Sequence, residues 1–229
     1  VETREVLFDL VNQPEIQAEY GVVWKEGSDV RGLDTALIYQ VDNVEIIASE
    51  QRQGCTNLTD GLGPDGNHDM DHPENDITCD LDGDSGLEGN RLFSRPPLLV
   101  HASVCINNCE RWAIESVPEK INQIEIWIIV NHWKSKFEDT DTHQFTLLRR
   151  LEQSQFVADL FNEIIAADPK ANVIVLGDFN DYIDSFPIKL LEANGLINLL
   201  KNVERNNRYT YVYQGISQVL DHILVRLDT

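Results

Sequence analysis

Apolar residues change their spacing several times along the chain, and each change marks an element. In "REVLFDLVN", Val6, Leu7, Leu10 and Val11 recur at helical spacing. "YGVVW", "TALIYQ" and "VEIIAS" are short runs rich in β-branched and aromatic residues and read as strands. "RPPLLVHASV" restarts the sheet, with two prolines at its head, where a strand tolerates them. "QIEIWIIVNHW" alternates and then becomes continuously apolar, as a central strand does. From Thr142 to Ala167 the period turns helical through Phe145, Leu148, Leu151, Phe156, Val157, Leu160, Phe161 and Ile164, with Pro169 beyond the end. "NVIVLGDF" reads as a fully buried strand, and "PIKLLEANG" as a short helix stopped by Gly195. "YTYVY" and "QVLDHILVRL" close the chain as strands. Strands mixed with helices, several of them adjacent in sequence, imply a layered α/β or α+β domain.

One stretch breaks this regularity. Residues 54–90 have almost no apolar period and are crowded with Gly, Asp and Asn, so a surface insertion into a single domain spanning 1–229 is expected. The stretch also holds ten Asp and Glu and no Lys or Arg, about half of the net charge of −21. That balance argues against gross attraction to nucleic acid or anionic membranes, yet leaves room for a basic groove elsewhere. Asp80, Asp82 and Asp84 alternate as in a calcium loop. Arg91 stands where such a loop wants its glutamate, so a Ca2+ site and a solvated acidic loop both stay open. Cys55, Cys79, Cys105 and Cys109 fit no zinc spacing; two disulfides are expected, in any of three pairings, and would place the protein outside the cytosol. "NLT" at 57–59 fits a glycosylation acceptor. No apolar run is long enough to span a bilayer. The opening "VETREVLFDLVN" does not read as a secretory leader, which means little if the chain is a piece of a longer protein.

Candidate chemistry gathers where buried runs end. "NHWKSK" (131–136), "GDFND" (177–181), "LDHIL" (220–224) and "RGLDTALIY" (31–39) each set polar groups beside an apolar run. Strand ends are where an open sheet builds a site. Hydrolysis of a phosphodiester needs a base for water, a divalent cation and donors to the phosphoryl oxygens. Asp178 suits the first role, Asn180 can donate to phosphate without adding charge, and a protonated His132 is a further donor. Asp221 suits the support of a histidine, and Lys134 and Lys136 suit neighbouring phosphates. Taken singly, Asp178 and Asn180 could equally cap a turn and His132 could be a core histidine. Asp34 fits either a turn or a partner for His132. Arg149 and Arg150 read as surface charges of the helix.

Together, "GDFN", "NHWKSK", "LDHIL" and "FSRPPLLV" (93–100) resemble the endonuclease/exonuclease/phosphatase superfamily, of which deoxyribonuclease I is the familiar member. Secreted bacterial nucleases are the nearer likeness, with counterparts of "RGLDTALIY", "RPPL", "NHWKSK", "GDFND" and "YTYVYQGISQVLDHILV". The resemblance implies a four-layer fold, two β-sheets sandwiched and flanked by helices. It implies Mg2+- or Mn2+-dependent hydrolysis of DNA or RNA by a secreted, non-membrane, monomeric protein. By this likeness His132 contacts phosphate, Asp178 activates water, Asn180 orients the phosphate, and Asp221 supports a second histidine. Arg95, Lys134 and Lys136 fall to substrate binding, and Asp178 and Asn180 to a partial metal site. His222 is then a sheet residue. The family's N-terminal metal carboxylate and its terminal Ser-Asp-His lack counterparts here, so the fold is expected to be incomplete at both ends and this piece by itself nearly inactive. Two rivals remain: a phosphoesterase of the same fold acting on a lipid headgroup or small molecule, and a non-catalytic, calcium-stabilised binding module.

Overall fold

Residues Leu98–Cys105 and Gln123–His132 pair antiparallel as long strands, and their period of two sorts side chains onto two faces. Leu99 and Ile129 point to one face, and Leu98, Val100, Ala102, Ile128 and Val130 to the other. A computed structural model describes residues 4–27, 29, 32–58, 79–81, 83, 86, 88–106, 123–137, 139–140 and 142–226. In chain order the elements are α1 (Arg4–Val11), β1 (Tyr20–Trp24), β2 (Ala36–Gln40), β3 (Val44–Gln51), β4 (Cys55–Thr56), β5 (Asn90–Arg91), β6 (Leu98–Cys105) and β7 (Gln123–His132). They continue as α2 (Leu147–Ala167), β8 (Asn172–Asp178), α3 (Phe186–Ala193), β9 (Ile197–Asn198), β10 (Tyr211–Tyr213), β11 (Ile216–Gln218) and β12 (Asp221–Arg226).

Six strands form the central sheet in the order β3-β6-β7-β8-β12-β9. Its β7–β8 pair is parallel, and α2 is the crossover that parallel neighbours require. On one face α2 and α3 pack through Val157, Phe161, Ile164, Ile188 and Leu191 onto Ile129, Val173, Val175 and Leu224. On the other, the β1–β2 hairpin lays Val23, Leu37 and Tyr39 over Val100, Ile128 and Val130. The layered α/β architecture expected from the apolar pattern is present, as helices, sheet and hairpin. No helix among the described residues is long and apolar enough to cross a membrane.

Three local expectations change. The helix expected from Thr142 begins at Leu147, because Asp139 accepts from both the amide and the hydroxyl of Thr146 (2.9 Å each) and fixes the start there. Leu148 is 60% exposed, while Arg149 and Arg150, read as surface charges, are buried at 4% and 0%. "YTYVY" does not join the main sheet; Tyr211–Tyr213 pairs with Ile216–Gln218 as a separate two-stranded hairpin.

The segment 54–90 is closed at its base. β4 pairs with β5, Cys55 is bonded to Cys79 (Cα–Cα 5.6 Å), and Cys79 is buried. Arg149 donates to the carbonyls of Arg91 and Leu58, tying both ends of the segment to α2. Cys105 is also disulfide-bonded, and Cys109 lies outside the described residues. Asp80 accepts from the amide of Gly83 (2.7 Å), whereas Asp82 and Asp84 of the expected calcium loop lie outside the described residues.

Candidate active site

Sheet register assembles the candidate residues. His132 ends β7, Asp178 ends β8, and the two are Cα partners in the parallel ladder. Asp221 opens β12 and is the antiparallel partner of Asp178. Three motifs, each more than forty positions from the next, therefore form one row across three neighbouring strands. His132 and Asp178 follow Val130 and Leu176 at a spacing of two, so they share the face of the sheet opposite the helices.

The turn after β8 is shaped by alternation. Phe179 is fully buried, edge-on to Trp133 (4.5 Å) and to His222 (5.5 Å). With Phe179 held inward, Asp178 and Asn180 stay at the mouth of the sheet. The amide of Asn180 donates to Asp178 Oδ1 (2.7 Å), and its Nδ2 donates to the carbonyl of Trp133 (3.1 Å), which uses one of its two side-chain N–H groups. Asn180 has φ 48°, a left-handed conformation that Asn tolerates better than most residues. Gly177 precedes with φ 128°, and a Cβ there would lie 2.1 Å from the carbonyl oxygen of Asn131. Only glycine lets β8 approach β7 this closely at the site.

His132 Nε2 lies 3.6 Å from Asp178 Oδ2, with both side chains about one third exposed (31% and 34%). Burial pushes the Asp178 carboxyl up to about 6; the Asn180 amide opposes that, the Asp221 charge adds to it, and the Arg95 charge opposes it. Asp178, Asn180 and Asp221 line one pocket of about 670 Å³ together with Lys136, Tyr211 and Tyr213. Two carboxylates and a carboxamide make an all-oxygen donor set, suited to a hard divalent cation and short of a full octahedral shell. Among the described residues, the only compact group of three His, Cys, Asp or Glu is Cys55, Cys79 and Glu88, whose cysteines are committed to a disulfide.

The other candidates fall around this pocket. Lys136 reaches it with Nζ 3.2 Å from Asp181 and 4.4 Å from the centre of the Tyr182 ring. Arg95 acts on Asp178 through its charge, with its side chain 7% exposed and its Nε 3.8 Å from Asp29. Lys134 is fixed through its amide, which donates to Gln153 Oε1 (2.9 Å), and neither Lys134 nor Arg95 lines the pocket. Asp34 accepts from the Gly27 amide and from Trp24 Nε1. His222 sits on the opposite face from Asp221 and is 1% exposed. Its Nε2 meets the carbonyl oxygen of Asp181 (2.9 Å) and its Nδ1 meets Asn198 Nδ2 (3.1 Å). Those partners assign the neutral form protonated on Nε2, in keeping with burial lowering its pKa. His222 is thus a sheet residue, as expected.

Sequence reasoning missed Asp181 and Arg150. Asp181, 1% exposed, takes Arg150 Nε on Oδ2 (2.9 Å) and Lys136 Nζ on Oδ1 (3.2 Å). Arg150 also donates to Asp139 (2.9 Å) and to the hydroxyl of Thr146. This network clamps the loop after β8 to the loop after β7. One signal was available: Asp181 follows Phe179 at a spacing of two and so shares its inward direction, where a carboxylate needs a buried cation.

Residues 32–229 match the family described as Endonuclease/Exonuclease/phosphatase family. A comparison with curated proteins finds no match. Among solved structures, the chain is similar to an endonuclease/exonuclease/phosphatase family protein from Bacteroides thetaiotaomicron, at 13% identity over 90% of this chain and 60% of that one (TM-score 0.47). It is similar to the human nocturnin catalytic domain with bound sulfate, at 14% identity over 97% of this chain and 63% of that one (TM-score 0.48). It is also similar to D. rerio TDP2 complexed with single strand DNA product, at 12% identity over 99% of this chain and 68% of that one (TM-score 0.51). At such identities the likeness is one of fold, and the chain spans about three fifths of the length of the first two.

Proposed function

The chain belongs to the endonuclease/exonuclease/phosphatase family, and from that premise we propose that its protein is a divalent-metal-dependent phosphodiesterase, a secreted monomeric nuclease acting on DNA or RNA. The observation that carries this reading is the row of His132, Asp178 and Asp221 across three strands, with Asn180 beside it. In this reading Asp178 takes the proton of the attacking water. His132 and the second N–H of Asn180 donate to phosphoryl oxygens, and Asp221 adds its charge beside Asp178. Lys136 meets the adjoining phosphate, and Arg95 tunes Asp178 through its charge. A cation held by Asp178 and Asn180, with further oxygen ligands, would supply Lewis-acid polarisation of the phosphoryl group. The Cys55–Cys79 disulfide supports a location outside the cytosol. The single strand DNA product held by D. rerio TDP2, a relative in fold, makes nucleic acid the first substrate to try.

The test uses the full-length protein with an oligonucleotide and a small diester, each with Mg2+ or Mn2+ and with chelator. Asp178→Ala and His132→Ala should each lower turnover by at least ~100-fold, the scale of losing one acid–base or charge-stabilising group. Chelation should stop cleavage. Near wild-type rates in both variants would remove this assignment, and indifference to chelator would remove the metal. A second reading, hydrolysis of a small phosphoester, is favoured by the pocket, whose volume of about 670 Å³ suits a compact ligand. It gains if the small diester turns over and no oligonucleotide does.

A further inference from the structure

The β10–β11 hairpin spends apolar and aromatic surface on solvent. Tyr211 is 48% exposed, Tyr213 53%, Val212 54% and Ile216 63%. The two tyrosines are two positions apart and so share one face, their rings nearly parallel (14°) with centroids 6.4 Å apart. That face looks into the pocket that holds Asp178, Asn180 and Asp221. The hairpin is stiff for its size. Gln214 and Gly215 both have positive φ, 48° and 80°, as a tight two-residue turn of this kind requires. At its base, the hydroxyl of Thr210 accepts from the amides of Leu220 and Asp221 (3.0 and 3.1 Å), which couples the hairpin directly to the strand that carries Asp221.

Charge narrows what this face can hold. About half of the net charge of −21 lies in residues 54–90, but the pocket itself sets Asp139, Asp178 and Asp221 against Lys136, so phosphate neutralisation there is weak. Lys136, the cation that lines the pocket, already shares its charge with Asp181. Stacking on tyrosine is indifferent to that deficit, because every nucleobase offers a π face, and contributes about 1–3 kcal/mol per base. Only unpaired bases expose those faces. We propose that Tyr211 and Tyr213 form a stacking platform for bases next to the scissile phosphate, and that it makes this site select single-stranded or unpaired nucleic acid over duplex. This rests on the phosphodiesterase reading above and names its substrate class.

The experiment measures binding separately from cleavage. A labelled oligothymidylate and an abasic oligonucleotide of equal length are titrated into the full-length protein with divalent cations chelated. Wild type should bind the thymidylate at least ~10-fold more tightly than the abasic strand, the equivalent of about 1.4 kcal/mol. Tyr211→Leu/Tyr213→Leu should erase that difference while keeping apolar bulk, and Tyr211→Phe/Tyr213→Phe should retain it. Affinity should fall only weakly with salt. With cation restored, wild type should cut single strands faster than duplex, and the leucine pair should lose that preference. Equal binding of thymidylate and abasic strands by the wild type overturns the platform, whatever their affinity. Base-dependent binding without any cleavage supports the platform and sinks the phosphodiesterase reading instead.

Discussion

Over its last turns α2 buries Val157, Ala158, Leu160, Phe161 and Ile164; over its first turns it buries Arg149, Arg150, Gln153 and Ser154. The same helix packs on the same layer with opposite chemistry at its two ends. At the apolar end, burial removes hydrocarbon from water and asks little of geometry. At the polar end each group has a named partner: Arg150 holds Asp139 and Asp181, Gln153 holds the Lys134 amide and the Leu92 carbonyl, and Ser154 donates to the Pro187 carbonyl. Of those partners, Asp139, Asp181 and Lys134 lie in the loops after β7 and β8 that shape the site, and Pro187 lies in α3. The apolar end stabilises the fold, and the polar end aims the loops.

Cutting Arg150 should separate the two roles most sharply. Arg150→Met removes the arginine from both Asp139 and Asp181 and leaves Asp181 the Lys136 cation and the Tyr182 amide, and removing one side of a buried pair costs about 3–5 kcal/mol. Phe161→Ala, at the apolar end, should cost a similar amount through its cavity, about 3–5 kcal/mol. Denaturant unfolding should find both variants weakened. Activity per folded molecule should fall by about 100-fold in Arg150→Met, as misplacement at a reactive centre does, and stay near wild type in Phe161→Ala. Equal loss of activity in both would erase the distinction between the ends.

A smaller effect should appear in pH dependence. The Asp178 carboxyl moves from 3.8 unfolded to about 6 folded, chiefly through burial. Between those values the folded protein holds a proton that the unfolded chain has released, so stability falls as pH rises. The contribution is complete below 3.8 and is gone above 6. In chelator, melting temperatures of the wild type should drop relative to Asp178→Asn as pH rises from about 4 to 7. A constant difference between the two melting curves across that range would contradict the raised carboxyl.

The smallest effect is expected at Leu148. It fits the apolar period of α2, yet it is 60% exposed at the polar end. Leu148→Gln should change stability by no more than about 0.5 kcal/mol, as surface substitutions do. A loss of several kcal/mol would mean that the apolar stripe runs the whole helix after all.

These positions show what the sequence could reveal. The central strands were legible because "QIEIWIIVNHW" and "NVIVLGDF" carry their burial in composition. His132, Asp178, Asn180 and Asp221 were legible because each ends or begins such a run. Arg149 and Arg150 were not: adjacent charges on a helix ordinarily face water, and their partners lie at distant positions such as Leu58 and Asp181. Tyr211 and Tyr213 read as sheet residues since aromatic runs favour strands. Nothing local says that their strand stands apart as a hairpin.

The parallel pairing of β7 with β8 also sets an order of events in time. His132 cannot meet Asp178 until the chain between them has folded back as α2, and Asp221 joins only after a further excursion through α3 and the hairpin. Contacts this far apart in sequence form slowly, since loop closure must precede any gain from them. During refolding, helix content and even a collapsed apolar core will return before the site does. On the proposed function, the return of phosphodiester cleavage, rather than of ellipticity, is the clock that would mark this protein as native.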